Sequence, residues 1–173
     1  RSVLVTTKGK VLIEDNYFSS QMHGILIEGD NNKWYESGAV QDVTIRNNVF
    51  ENIGYEVTKR YPLLASPLFT PEQRMGDGQY HRNICFTGNT IKSFNGLLAN
   101  VRSAAGLTIS DNTIELSTDY PSASEGPAVV LNYCDDVTIE DNRAKGFDRP
   151  LEITRSPDTT NVEITGNEGF EVQ

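Results

Sequence analysis

The sequence contains few cysteine, histidine and tryptophan residues. Two cysteines, Cys85 and Cys134, and two histidines occur in 173 residues, with a single tryptophan. Two cysteines far apart exclude a disulfide framework and lack the CxxC spacing of a zinc site. Basic residues are also in deficit, with 15 Lys and Arg against 24 Asp and Glu and a formal net charge of -9. This balance disfavours nucleic acid as a partner, because a polyanion would be repelled.

Long apolar runs and helical patterns are absent as well. The composition is 37% hydrophobic and 23% charged with a mean hydropathy of -0.43, which excludes a membrane span and predicts a folded, soluble chain. The length predicts one domain, residues 1–173. The first residues lack the apolar core and cleavage site of a signal peptide, so we expect any export signal to lie upstream of Arg1.

A hexapeptide of the form apolar-x-apolar-x-x-Asn recurs along the chain. Its six copies are VLIEDN, VTIRNN, ICFTGN, LTISDN, VTIEDN and VEITGN, ending at Asn16, Asn48, Asn89, Asn112, Asn142 and Asn167. The shortest spacing, from Asn89 to Asn112, is 23 residues, and the longest, from Asn48 to Asn89, is 41. Self-similarity at such a period predicts a solenoid whose longer repeats carry loop insertions.

The hexapeptide has the pattern of a half-buried strand, because its apolar residues alternate with polar ones. A second apolar segment follows in five repeats, at 24–28, 62–66, 96–100, 128–132 and 150–154. No helical stripe of useful length separates these segments. Strands that return at this interval without crossover helices predict an all-β fold, a right-handed parallel β-helix of about six coils.

The Asn that ends each hexapeptide predicts a column of stacked side chains at one corner of the coils. In such a ladder each amide hydrogen-bonds the amides above and below, which satisfies groups that would otherwise be buried without partners. The residue two positions later should pack in the core: Phe18, Phe50, Ile91 and Ile114 in the first four coils. Ala144 and Gly169 occupy this position in the last two coils. We therefore expect thinner packing toward the C-terminus.

Two insertions of 14 residues interrupt the repeat at the same point of neighbouring coils. We call them L1 (residues 29–42) and L2 (residues 70–83). Between them they hold Asp30, Trp34, Tyr35 and Glu36 in L1, and Glu72, Arg74, Asp77, Tyr80 and His81 in L2. An indole beside a phenol offers flat faces for a sugar ring, and carboxylates and Arg bond its hydroxyls. Carbohydrate is thus the predicted ligand; the alternative is that the aromatic pair only pins a long loop to the coil.

Catalytic residues are harder to assign. A glycosidase needs two carboxyl groups roughly 5 to 10 Å apart, and Asp30, Glu36, Glu72 and Asp77 are candidates. The acidic residues 135, 136, 140 and 141 resemble a Ca²⁺ cluster, but Asp beside an Asn turn recurs in this chain as ordinary turn chemistry. We assign no catalytic residue, no metal and no cofactor from the sequence.

The first 55 residues resemble the later β-helix coils of glycoside hydrolase family 110, bacterial enzymes that remove terminal α-1,3-linked galactose. The motifs are LVTTKGKVLIEDNYF, GDNNKWYESGAVQDVTIRNN, and SPLFTPE followed by YHRN. From Asn89 onward only the generic repeat matches. The resemblance implies a pectin-lyase-like β-helix, an inverting α-galactosidase activity, a secreted or periplasmic location, and a substrate groove lined by Trp34, Tyr35 and Glu36.

The Asp-Asp pair implicated in acid/base work in that family, in a stretch like DDALNVHG, precedes the matched segment. This chain has no such stretch. Asp135 and Asp136, its only adjacent pair, lie far downstream and do not inherit the role. We therefore expect the chain to be the C-terminal part of a longer hydrolase, with the catalytic acids upstream.

These observations predict a glycan with terminal galactose as the partner, bound by Asp30, Trp34, Tyr35, Glu36, Arg74 and Asp77. The other hypothesis is a noncatalytic β-helix that binds polysaccharide or has a structural role. The N-terminal coil, with Val3 and Val5, is predicted to favour end-to-end self-association if it stacks on nothing, because strand edges and apolar groups would be exposed.

Overall fold

A computed structural model describes residues 1–36, 38–55, 59–76, 78–121 and 126–173. Within these ranges the regular elements are 18 β-strands arranged in three sheets, and every strand pair is parallel. None of the described residues belongs to a helix with the length and apolarity needed to cross a membrane. The alternating hexapeptides thus fold as the strand pattern predicts.

The three sheets are named A, B and C. Sheet A contains β1 (Val3–Val5), β4 (Ile25–Ile27), β7 (Leu63–Ala65), β10 (Ala99–Arg102), β13 (Val129–Asn132), β16 (Leu151–Arg155) and β18 (Phe170–Val172). Sheet B contains β2 (Val11–Glu14), β5 (Val43–Arg46), β8 (His81–Thr87), β11 (Ala104–Ser110), β14 (Asp135–Glu140) and β17 (Thr160–Thr165). Sheet C contains β3 (Tyr17–Phe18), β6 (Val49–Glu51), β9 (Thr90–Ser93), β12 (Thr113–Leu116) and β15 (Arg143–Lys145).

Each coil runs from sheet B through sheet C to sheet A and then returns to sheet B. The six hexapeptides form the strands of sheet B, and the second apolar segments form strands of sheet A, so the predicted parallel β-helix of about six coils is confirmed. Sheet C was not predicted as a separate sheet. Its strands follow the ladder Asn by one residue and are only two to four residues long, too short for an alternation to be visible in the sequence.

The predicted asparagine ladder runs along the corner between sheets B and C. In every step the Nδ2 of one ladder Asn donates to the Oδ1 of the Asn in the next coil, at 2.8 to 3.1 Å. The same Oδ1 accepts the backbone N–H of the preceding ladder Asn. Four of the six residues, at 48, 89, 112 and 142, are buried.

The residue before each ladder Asn has a left-handed backbone. Its φ lies between 54° and 66° in all six coils, at Asp15, Asn47, Gly88, Asp111, Asp141 and Gly166. Asp, Asn and Gly are the residues that adopt this conformation at least cost. The corner therefore explains two positions of the hexapeptide: the left-handed residue turns the chain, and the Asn then bonds across the coils.

The core lies inside the triangular coil. Phe50, Ile91 and Ile114 are buried as predicted, and Phe18 is partly buried. Phe50 contacts the rings of Phe18 and Phe86, with centroids 5.1 and 5.6 Å apart. The fifth coil has Ala144 at this position, partly exposed, and the sixth has the exposed Gly169. The predicted thinning toward the C-terminus is thus present, because small residues replace the large ones.

The outer face of sheet C carries charges of alternating sign. Glu51 pairs with Lys92, Lys92 with Glu115, and Glu115 with Lys145 in the strand register. The Lys92 and Glu51 charges are 3.7 Å apart, and those of Lys145 and Glu115 are 4.0 Å apart. Opposite charges directly across neighbouring strands are mildly stabilising, so we regard this face as structural.

The ladder predicts a difference between central and terminal asparagines. Asn112→Leu leaves Asn89 without its acceptor and the Phe86 carbonyl without its donor, so we expect a loss of about 1 to 3 kcal/mol in unfolding free energy. Asn16→Leu is the matched control, because Asn16 is exposed and, as the first ladder residue described, donates to Asn48 but accepts from no other ladder Asn. Urea unfolding of both variants measures this difference; equal losses would contradict the ladder as the source.

Candidate functional site

L1 and L2 leave the corner where sheet A returns to sheet B, in neighbouring coils. In the third coil a single residue, Ser103, connects the strands at this corner. The last three residues of L2, from His81 to Asn83, are not loop as predicted but the beginning of β8. They are polar or charged, which concealed the strand from the sequence pattern. The two insertions therefore stand beside each other where other coils turn tightly.

Tyr80 joins the two insertions. Its hydroxyl donates to the Gly29 carbonyl oxygen at 3.2 Å and accepts from the side-chain amide of Asn31. The ring packs edge-on against Phe69, with centroids 5.5 Å apart. The Asn31 N–H also donates to the Leu68 carbonyl, at 3.2 Å. The base of L1 is thereby bonded to the second coil at several points.

His81 fixes the far end of L1. Its Nδ1 accepts the backbone N–H of Val40 at 3.3 Å, and the Arg82 N–H donates to the Val40 carbonyl at 3.0 Å. The imidazole is fully buried, and its Nε2 has no hydrogen-bond partner among the described residues. Burial lowers the pKa of His81 to about 4, so the ring is neutral at physiological pH and carries its proton on Nε2.

Asp30 organises the interior of L1. Its Oδ1 accepts the backbone N–H groups of Asn32 and Lys33 at 2.6 and 2.8 Å, and its Oδ2 accepts that of Trp34 at 3.3 Å. The residue is completely buried. Burial by itself would raise the pKa of Asp30, but these N–H donors and the Lys33 charge outweigh it and lower the pKa. Asp30 is thus ionised and bonded to its own loop.

Gly29 allows L1 to fold back on itself. Its φ is 62°, and a Cβ atom at this position would lie 2.5 Å from the Gly38 carbonyl oxygen. Since that contact is with backbone, no side-chain movement can relieve it. The two ends of L1 therefore approach one another closely, and the segment between them projects as a compact turn.

The projecting segment presents an aromatic pair to solvent. Trp34 and Tyr35 are each 78% exposed, so they do not serve to pin the loop to the coil. Tyr35 has a positive φ of 50°, a conformation that is uncommon for a bulky aromatic residue. The Asp30 turn positions both residues, because the chain is bonded on either side of them, at Trp34 N–H and Glu36 N–H.

Two further carboxylates lie close to this turn. The Glu36 Oε2 accepts the Asp30 N–H at 3.3 Å, and the Glu36 N–H donates to the Asp30 carbonyl at 2.8 Å. Glu28, partly buried at the end of β4, has a raised pKa, first because of burial and then because of the Glu36 and Asp30 charges. Glu28 was missed in the sequence, although it follows β4 one position after Ile27, where the period of two residues points a side chain outward.

The predicted residues of L2 are less well brought together. Arg74 and Glu72 are exposed near the tip of the loop, and Asp77 lies outside the described residues. The structure thus places Asp30, Trp34, Tyr35 and Glu36 in one turn, while contact of Arg74 and Asp77 with a sugar stays a prediction.

The acidic residues of the fifth coil form turn hydrogen bonds or occupy turn positions. Asp135 Oδ1 accepts from Thr160 Oγ1 at 2.6 Å and from Asn161 Nδ2 at 2.8 Å, and Asp136 and Asp141 occupy left-handed turn positions. Among the described residues, no three His, Cys, Asp or Glu side chains are grouped as metal ligands. These contacts agree with the interpretation of the segment as turn chemistry.

Residues 1–172 match the family model described as "Right handed beta helix region". The chain belongs to this right-handed β-helix family. The match supplies the hand of the coil and agrees with the three parallel sheets.

Several curated relatives are named alpha-1,3-galactosidase, which confirms the resemblance noted in the sequence. Alpha-1,3-galactosidase B of Bacteroides thetaiotaomicron is 41% identical over 151 residues, covering 84% of this chain and 24% of the relative. Alpha-1,3-galactosidase A of Bacteroides fragilis is 38% identical over 150 residues, with 84% and 24% covered. Alpha-1,3-galactosidase A of Peterkaempfera griseoplana is 31% identical over 195 residues, with 96% and 25% covered. The chain spans about a quarter of the length of these relatives.

The two buried histidines predict that the β-helix is sensitive to acid. The pKa is about 4 for His81, lowered by burial, and about 4 for His23, lowered by burial and then by the Arg60 charge. Because the ordinary value is 6.5, the unfolded chain binds protons more tightly between these values. The contribution of the two neutral histidines to the unfolding free energy is therefore fully present above about pH 6.5. It decreases as the pH falls toward 4, by on the order of a few kcal/mol in total.

His81→Asn tests this prediction, since the Asn side chain can still accept the Val40 N–H but does not titrate. We expect urea unfolding to show a smaller loss of stability between about pH 7 and pH 5 in this variant than in the parent chain. His23→Asn is the matched variant, because His23 Nδ1 accepts the Tyr61 N–H in the same manner. Identical pH slopes in all three proteins would contradict the assignment.

Proposed function

We propose that this chain is a carbohydrate-active β-helix in which L1 binds the terminal α-linked galactose of a glycan. The exposed Trp34 and Tyr35, held on a hydrogen-bonded turn beside Glu28 and Glu36, are the observation that carries the proposal. The relatives named alpha-1,3-galactosidase support galactose as the sugar. On the same resemblance we propose a secreted or periplasmic location.

The chemistry of the turn fits a neutral polyhydroxylated ring. The aromatic faces can stack on the C–H side of a pyranose, and a carboxylate accepts hydrogen bonds from its hydroxyls. Glu28 has a raised pKa and the Glu36 charge is near it, so an additional anion would be repelled. The net charge of -9 acts in the same direction. A neutral hexose is therefore favoured over an acidic sugar.

Hydrogen bonds within the chain hold L1 in this geometry. Its base is bonded to the second coil through Tyr80 and His81, and its turn is bonded internally through Asp30. Ordering a flexible loop would subtract from the binding free energy, whereas a preorganised loop avoids most of that cost. We assign Asp30, Tyr80 and His81 the role of positioning residues, and Trp34, Tyr35, Glu28 and Glu36 the sugar contacts.

Inverting hydrolysis is the finer part of the proposal. It requires one carboxylic acid that protonates the leaving oxygen and one carboxylate that deprotonates the attacking water. The resemblance implies that the acid pair of the galactosidases precedes the segment matched here. We therefore propose that this chain supplies substrate-binding residues, and we assign no proton-transfer step to Glu28 or Glu36.

Sugar binding at L1 predicts a fluorescence response, because Trp34 is the only tryptophan. Methyl α-galactoside should quench or shift its emission at millimolar concentrations, and methyl α-glucoside, which differs in the orientation of one hydroxyl, should do so less. Tyr35→Ala should weaken binding about tenfold or more, the equivalent of about 1.4 kcal/mol. Tyr17→Ala is the control, since Tyr17 is an exposed aromatic residue on sheet C.

Calorimetry extends this test to Trp34→Ala, which removes the fluorophore, and to Trp34→Phe, which keeps an aromatic face. We expect binding to be lost in the first variant and partly retained in the second. Emission that stays constant with galactosides at tens of millimolar would contradict the proposed site.

Hydrolysis separates the enzymatic and noncatalytic hypotheses. We expect the 173-residue chain to bind an α-1,3-linked galactosyl disaccharide without releasing galactose, because the acid pair implied by the resemblance is absent from it. Chromatography of the products measures this. Release of galactose that is abolished by Glu28→Gln or Glu36→Gln would overturn the binding-only role and assign the reacting carboxyls to L1.

A further inference from the structure

A cleft lies at the corner between sheets C and A, in the C-terminal half of the β-helix. Its lining comes from four coils and includes Phe94, Asn95, Phe147, Arg149, Glu152 and Glu171. L1 and L2 leave the corner between sheets A and B in the first two coils. The two regions therefore differ both in corner and in position along the rod, and the cleft does not belong to the site described above.

The apolar walls of the cleft are held in place by the backbone beneath them. Gly96 has a φ of 72°, and a Cβ atom there would lie 2.8 Å from Leu151 Cδ2 and 3.4 Å from Phe147 Cε1. Leu151 and Phe147 thus pack directly on the glycine backbone. On the other side, the Phe94 ring contacts Tyr120, with centroids 5.5 Å apart. Phe94 is itself only 6% exposed, so the aromatic surface open to the cleft is mainly that of the partly buried Phe147.

Asn95 contributes a buried donor without a partner. The residue is only 6% exposed and lines the cleft. Its Oδ1 accepts from Ser93 Oγ at 2.8 Å and from the Leu97 N–H at 3.2 Å, which determines the orientation of the amide. The Nδ2 is buried and makes no hydrogen bond within the part of the chain that the structure describes. Buried polar groups in native proteins rarely lack partners, and leaving one unpaired is costly.

The charges of the cleft depart from the pattern seen on sheet C. Glu152 and Glu171 lie directly opposite one another on the neighbouring strands β16 and β18, whereas the outward neighbours on sheet C alternate in sign. Like charges in this position are destabilising. Asp148 and Arg149 also line the cleft, so hydrogen-bond acceptors outnumber cationic donors there.

The donors and acceptors together restrict the ligand. An ammonium or guanidinium group offers only N–H donors and cannot accept from Asn95 Nδ2. An anion could accept from Asn95 and Arg149 but would face the three carboxylates of Asp148, Glu152 and Glu171. A hydroxyl group both donates and accepts, and a pyranose also has an apolar face for the Phe147 ring.

We infer that this cleft is a second carbohydrate site, which takes one neutral sugar residue of a glycan. The sugar packs against Phe147, one hydroxyl accepts from Asn95 Nδ2, and others donate to Glu152 and Glu171. The inference goes beyond the proposed function of L1 and does not require it, because neither insertion contributes to the cleft.

Nuclear magnetic resonance can observe the two sites separately in the ¹⁵N-labelled 173-residue chain. The Asn95 side-chain amide reports on the cleft, and the Trp34 indole N–H reports on L1. Titration with methyl α-galactoside and methyl α-glucoside, up to tens of millimolar, should move the Asn95 resonance with saturation. A moving indole with a stationary Asn95 amide would overturn the cleft site alone, and the reverse would overturn only the L1 site.

Substitutions in the cleft should change the response of the Asn95 amide and leave that of the Trp34 indole unchanged. Glu152→Gln together with Glu171→Gln removes charge at exposed positions and should weaken the Asn95 response about tenfold, while the Trp34 response stays the same. Phe147→Leu, which retains apolar packing on Gly96, should weaken it as well. Glu163→Gln, at an exposed position on sheet B, is the matched control and should change neither response.

A cationic probe decides the ligand class. Lysine amide should shift the Asn95 amide less than the galactoside does, because it cannot accept a hydrogen bond from Nδ2. A larger shift with lysine amide, or an unchanged sugar response in the double glutamate variant, would overturn the inference.

Discussion

The ladder asparagine that follows each sheet B strand forms side-chain hydrogen bonds that join its coil to the neighbouring coils. Its oxygen accepts from the preceding coil, and its nitrogen donates both to the next amide and to a strand carbonyl. Because this occurs at the same corner in every coil, it sets the register of sheets B and C together. The stacked apolar residues of the core then coincide, from Phe18 to Phe50 and Phe86. Without a common register, neither the core nor the corners would align.

That alignment is what brings separated segments together. Gly29 and Tyr80 are 51 residues apart in the chain yet joined by a hydrogen bond, because both lie in insertions at the same corner of neighbouring coils. The cleft at the other corner is likewise assembled from residues between 94 and 171. The coil is regular, and chemical variety is concentrated at its corners, where insertions do not disturb the sheets.

The sequence predicts the fold better than the site because the fold rests on repetition. The hexapeptide contains both the alternating strand and the turn Asn, so sheet B and its ladder were visible in it. Sheet C was not, since its strands are as short as two residues. Within the site, exposure of Trp34 and the bonding of Asp30 to its own loop depend on local turn geometry that composition does not specify. Glu28 and His81 are significant only through neighbours in L1, which depend on how that loop folds back.

The asparagine ladder also has a direction. In each step Nδ2 points to the later coil and Oδ1 to the earlier one, so the stack is polar along its axis. A coil added before Asn16 must therefore present an amide donor, and one added after Asn167 must present an acceptor. Two rods can share this ladder only head to tail, which is a heterologous contact that continues rather than closes. Head-to-head joining would place like groups opposite each other, so the order in which coils can be grafted is dictated by a single side-chain orientation.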